Sequence, residues 1–258
     1  MSKAIVSSKK VAIITGSSSG VGAATAKLLA AMDCNIVINY ASSEGPANEV
    51  AEQCKALGAE VLVCKADVSD DAACKDLVEQ VLSRFGRIDI LINNAGTTKF
   101  VQHSDLDGLD KEDFFHIYGV NVVGPYQMIR AAEKAIRKSK SGSIVNVASI
   151  AGVRGVGSSI AYAASKGALL TMTQSMARVM GPEVRVNAVC PGFIQGEWLE
   201  KGIGTENYNR VRQSYEDAAP LKLTCTAETV ADSIVSFAAG HSVVTGQYLI
   251  LDGGHYLV

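Results

Sequence analysis

No C-x-x-C spacing links any of the six cysteines, and with only four histidines in the chain no structural zinc site is expected. Cys34, Cys54, Cys64, Cys74, Cys190 and Cys225 read instead as reduced, mostly buried thiols. No run of about eighteen apolar residues occurs, so neither a spanning helix nor a membrane partner is expected. The first ten residues lack the apolar stretch of an export signal, which makes a cytoplasmic location the expectation. Neither sign of charge dominates: 24 Lys and Arg against 26 Asp and Glu leave a net −2, and basic residues cluster only from Arg130 to Lys140. That balance argues against a nucleic-acid partner.

What is present is enough apolar material, 48% of 258 residues, to bury a sizeable core in one domain spanning 1–258. Short apolar runs at Val11 to Ile14, Asn35 to Asn39, Val61 to Cys64 and Ile88 to Ile92 predict four strands. Amphipathic stretches of helical period alternate with them. Ser69 is placed to cap the helix after the third strand, and Gly86 to stop it. Further strands are predicted at Ser143 to Val147, Arg185 to Val189 and Tyr248 to Leu251. A helix from near Asp110 carries Asn121 and is distorted near Gly124-Pro125. Thr226 is expected to cap the last helix. This alternation predicts an α/β fold, a doubly wound parallel sheet with helices on both faces and its ligand site at the strand C-termini. From Phe193 to Ala219 no strand is predicted; a segment of this length after a strand end reads as a substrate lid or as an ordinary pair of surface helices.

Two stretches carry chemistry. Thr15-Gly16-Ser17-Ser18-Ser19-Gly20-Val21-Gly22 lies between a strand and a helix, where glycines allow close backbone approach and free helix amides attract a phosphate. The second runs from Ser149 through Tyr162-Ala163-Ala164-Ser165-Lys166. Tyr162 and Lys166, four apart, share one helix face. A free tyrosine titrates near about 10, so proton exchange near neutrality needs help from a positive charge. An ammonium about 5 Å away, at an effective dielectric near 20, favours the phenolate by on the order of 3 kcal/mol. Ser149, at the end of the preceding strand, can hold a substrate oxygen, giving a proton donor, its tuner and an orienter. Tyr-x-x-x-Lys pairs on helices are commonly structural; the surrounding pattern is what makes this one a catalytic candidate.

Taken together, the Thr15 to Gly22 loop, Asp67, Asn93 to Gly96, Asn121, Ser149, Tyr162, Lys166 and Pro191-Gly192 resemble the classical short-chain dehydrogenase/reductase family along almost the whole chain. The resemblance implies a Rossmann-type domain with seven parallel strands, a nicotinamide dinucleotide and a catalytic set of Asn121, Ser149, Tyr162 and Lys166. It implies that Tyr162 protonates a carbonyl oxygen and Ser149 holds that oxygen. Lys166 would lower the Tyr162 pKa and bind the nicotinamide ribose, and Asn121 would position a water beside Lys166. The implied cofactor set is Gly16, Ser18, Ser19, Gly20, Val21, Gly22, Asn39, Tyr40, Asp67, Val68, Asn94, Ala95, Gly96, Tyr162, Lys166 and Ile194, with Asp67 accepting the adenine amino group. Where the family usually has a threonine that binds the carboxamide, this chain has Gly196, so backbone groups such as Ile194 are expected to serve.

NADP(H) is the preferred cofactor expected, with NAD(H) possible. Asn39-Tyr40 stands where NAD-specific relatives carry an acidic residue, and Ser19 stands where many NADP-binding relatives carry a basic one. Among relatives the chain most resembles the 3-oxoacyl-acyl-carrier-protein reductases, which implies a small-molecule or thioester substrate and a homotetramer. Against a carrier-protein partner stands Glu183, in the turn where those reductases carry an arginine, while Lys140 can supply a basic contact. The alternatives are a sugar or polyol dehydrogenase of the same family and a non-catalytic dinucleotide-binding sensor.

Overall fold

The computed structural model describes residues 6–139 and 141–258. Among these, seven parallel strands form one sheet: β1 (Val11–Ile14), β2 (Asn35–Tyr40), β3 (Val61–Lys65), β4 (Ile90–Asn93), β5 (Gly142–Val147), β6 (Val184–Pro191) and β7 (Tyr248–Leu251), in the order β3-β2-β1-β4-β5-β6-β7. The order reverses between β1 and β4, which opens a crevice at their C-terminal ends. Period-two alternation sorts the apolar side chains between two cores. Ala12, Ile14, Ile36 and Ile38 face α1 (Gly20–Ala31), α2 (Glu44–Ala56) and the more distant α10 (Ala227–Val235). Val11, Ile13 and Val37 face α3 (Asp71–Phe85) and the long helices that follow β4 and β5.

After β4 the chain forms α4 (Lys111–Tyr118), a π-helical turn (Gly119–Val123) and α5 (Gly124–Lys138) as one distorted rod, and the distortion falls on Asn121. Then α6 (Ala151–Arg154) and α7 (Ile160–Met180) follow β5. The segment after β6 is two helices, α8 (Glu197–Ile203) and α9 (Thr205–Ala218). Expectations shift at the α3 cap and at three strand ends. The α3 cap is Asp70, whose carboxylate accepts from the Ala72 and Ala73 amides. Ser69 instead donates its amide and hydroxyl to Asp67. β4 starts at Ile90, β2 extends to Tyr40 and β6 to Pro191. All six cysteines are free and buried. No helix among the described residues is long and apolar enough to cross a membrane.

Candidate active site

The glycine loop after β1 is held from below by β4. The Thr15 hydroxyl accepts from the Asn94 and Ala95 amides at 3.0 Å each, and Asn94 Nδ2 donates to the carbonyls of Thr15 and Gly16. Gly16 has φ +60°, and a Cβ there would lie 2.9 Å from Ala95 Cα. At Gly22 a Cβ would come 2.6 Å from both Asn94 Nδ2 and the Gly16 carbonyl. Gly20 differs: a Cβ would meet nothing within 4 Å, so its backbone faces open space. Ser19 caps α1 without a side-chain hydrogen bond, which leaves the first-turn amides for an anion. These residues fit the pyrophosphate of a dinucleotide.

The loop borders a cavity of about 1740 Å³ at the C-terminal edge of the sheet. Gly16, Ser19, Gly20 and Val21 line one end, with Asn39, Asp67, Val68, Asn94, Ala95 and Gly96 beside them. Ser149, Tyr162, Lys166 and Ile194 line the middle. Ser18, Gly22, Tyr40 and Asn121 do not line it. Gly22 is a packing residue, as its contacts show. Tyr40 follows the alternation of Ile36 and Ile38 into the apolar core, and the uncharged Ala41 and Ser42 reach the cavity in its place. Asn39 has no amide to offer a ribose: its Oδ1 accepts from the Gly16 amide and its Nδ2 donates to the carbonyls of Cys64 and Ala66.

Ser149 follows β5, tied back by the Ala151 amide on its hydroxyl. Its segment sits close to α7 because Gly152 touches the Lys166–Gly167 backbone; a Cβ there would lie 2.5 Å from the Gly167 nitrogen. Sequence reading missed this glycine, whose only signal is a small residue two positions inside a short helix. α7 is capped by Ser159, whose hydroxyl accepts from the Tyr162 amide. Lys166, 4% exposed, donates from Nζ to the Val147 carbonyl at 2.8 Å and lies 5.6 Å from the centre of the Tyr162 ring.

This geometry corrects the electrostatic expectation. Burial pushes the Tyr162 phenol up to about 12, with the Ser149 hydroxyl pulling the other way. Burial likewise pushes Lys166 down to about 8. Desolvation is the largest cause at both groups, and the Lys166 ammonium donates to the Val147 carbonyl. Tyr162 therefore rests protonated, the state a proton donor requires.

Asn121 is engaged through its side-chain amide. Its Oδ1 accepts from the Thr97 amide, and its Nδ2 donates to the Thr97 carbonyl and the Ser165 hydroxyl. Ser165 in turn donates to the Tyr162 carbonyl. A side-chain amide so engaged is a bracket between the 97 loop and α7. At Ile194 the flanking residues make the backbone bonds to Cys225, through the Phe193 carbonyl and the Gln195 amide, so the Ile194 backbone is left to the cavity. Glu183 pairs with Arg137 at 2.7 Å, which cancels the repulsion expected of a lone carboxylate there. Lys140 lies outside the described residues.

A family model described as enoyl-(acyl carrier protein) reductase matches residues 16–256. Over 248 residues the chain is 39% identical to "Granaticin polyketide synthase putative ketoacyl reductase 2" of Streptomyces violaceoruber, covering 96% of each. It superimposes with a TM-score of 0.90 and 40% identity on a structure described as a "putative short-chain dehydrogenase/reductase" from Burkholderia xenovorans, covering 98% of this chain and all of that one. An NAD+-bound xylitol dehydrogenase structure matches with a TM-score of 0.88 and 27% identity, over 95% of this chain and 98% of that one.

Proposed function

The chain belongs to the short-chain dehydrogenase/reductase family and is an NAD(P)(H)-dependent oxidoreductase; from that premise we propose that it reduces a ketone, a 3-oxoacyl thioester in the first instance, with NADP(H) preferred. The observation that carries the reading is the convergence of Ser149, Tyr162 and Lys166 on the wall of the cavity that the glycine loop borders. A nicotinamide dinucleotide held there supplies the hydride. Tyr162 gives its phenolic proton to the carbonyl oxygen, and the Ser149 hydroxyl donates a hydrogen bond to the same oxygen. Lys166 offsets the charge left on Tyr162 and contacts the nicotinamide ribose. Asn121 keeps the catalytic helix in place through Ser165. A dinucleotide-binding sensor has no use for this set, and a xylitol-type polyol reading leaves the apolar Phe100, Trp198 and Phe193 side of the cavity unused.

The cofactor preference rests on Ala41 and Ser42, which put no carboxylate beside a ribose 2′-phosphate. With a panel of 3-oxoacyl thioesters, sugars and simple ketones, kcat/KM is expected to be higher with NADPH than with NADH. The margin is modest because Ser19 brings no cation. A preference for NADH of about tenfold or more would overturn this reading.

The assembly we propose is a homotetramer. Tyr248 and Leu249 on the edge strand and Val123, Tyr126 and Val179 on the long helices are exposed apolar side chains on two separate faces. Light scattering at micromolar concentration is expected to return four times the 27.1 kDa chain mass; a stable monomer contradicts it.

A further inference from the structure

The substrate half of the cavity has a wall that the chemistry at Tyr162 does not use. Phe100, on the loop after β4, and Trp198, on α8, meet with ring centres 5.4 Å apart and planes tilted by 53°. α8 buries none of its own residues, yet it lies directly on Phe100, since a Cβ at Gly202 would overlap that ring. Both rings line the cavity, and Trp198 remains 56% exposed beyond its contact with Phe100. Phe193 and Tyr208 continue the lining, themselves paired at 5.2 Å. The charged side chains at this end, Glu197 and Lys201, pair with one another at 2.7 Å on the solvent side. Gln195 is engaged by Thr224. The side of the wall that Phe100, Trp198 and Phe193 form rewards apolar area.

We infer that Phe100 and Trp198 are specificity-determining residues that select ketones carrying a bulky apolar chain or ring over short acyl groups. The inference rests on the ketone-reductase reading and specifies its substrate class. The test compares acetoacetyl, 3-oxohexanoyl and 3-oxodecanoyl thioesters of N-acetylcysteamine with NADPH, in the parent, Phe100→Ala and Trp198→Ala. In the parent, kcat/KM is expected to rise with chain length by at least about tenfold across the series. Each variant should lose most of that rise, with kcat/KM falling about tenfold further for 3-oxodecanoyl than for acetoacetyl. A flat series in the parent, or variants that lower every substrate equally, overturns the inference and leaves the reductase reading standing.

A binding readout separates the two readings further. In the NADP+ complex, where no reduction can occur, calorimetric affinity should follow the same chain-length order in the parent and lose it in Phe100→Ala. If that order holds while no thioester is reduced with NADPH, the wall selects as inferred and the reductase reading is what fails. Binding that ignores chain length overturns the inference whatever the turnover.

Discussion

Replacing Tyr162 by phenylalanine is expected to lower kcat by at least about 100-fold, the usual contribution of a positioned general acid. The substitution removes one oxygen and leaves the ring on its helix, lining the cavity that the glycine loop borders. Cofactor affinity should therefore stay within about threefold of the parent. The high resting pKa sharpens the case. With the phenol pushed up to about 12, Tyr162 carries its proton across the whole working range. A structural Tyr-Lys pair predicts the opposite pattern, near-normal turnover with a lower melting temperature, so steady-state rates and a melt of the same sample decide between them.

Lys166→Met is expected to act on three quantities at once. On the proposed mechanism it removes the charge that would offset the Tyr162 phenolate and a contact to the cofactor ribose, so kcat should fall and cofactor binding should weaken. Stability without cofactor moves the other way. The folded-state pKa of about 8 lies below the ordinary 10.5, so the fold disfavours the ammonium. Below about pH 8 the parent carries that full penalty, about 3 kcal/mol. It is relieved as the pH rises from 8 towards 10.5, where the lysine is neutral in both states. The hydrogen bond from the ammonium to the Val147 carbonyl returns roughly 1.5–3 kcal/mol, no more than the penalty. At pH 7 the cofactor-free variant should melt at or above the parent, with the gap narrowing on going to pH 10. A variant that melts well below the parent at pH 7 would show that the buried ammonium stabilises the fold. Because Tyr162 and Lys166 serve one proton transfer, the double mutant should lose far less rate than the product of the single losses.

The parts of this site that could be read from sequence are those fixed by local spacing. The glycine loop lies between a strand and a helix six residues apart, and Tyr162 and Lys166 are one helical turn apart, so pattern and structure coincide. Asn121 was legible through Gly124-Pro125, although the distortion is a π turn set before the proline. The readings that failed depended on which way a side chain leaves a strand or a turn. β2 runs one residue further than its pattern suggests, and its alternation carries Tyr40 into the core with Ile36 and Ile38. The amide of Asn39 is taken by three backbone groups from β1 and β3 neighbours that no local signal announces. The sign of the Tyr162 shift failed for a different reason: charge separation can be guessed from helix spacing, whereas burial depends on the whole cavity wall. Phe100 and Trp198 lie almost a hundred residues apart on segments of weak pattern, and only the fold brings them together.

The central claim, hydride delivery to a ketone carbon with Tyr162 as proton donor, is tested most directly by product analysis with NADPH deuterated at C4 and 3-oxodecanoyl thioester as substrate. The parent should give the 3-hydroxy thioester with deuterium on C3, one label for each NADPH oxidised, and Tyr162→Phe should give the same product at a rate lower by about 100-fold or more. NADPH that binds but is never oxidised by any ketone, or label transfer that proceeds at the parent's rate without the Tyr162 hydroxyl, would contradict the account.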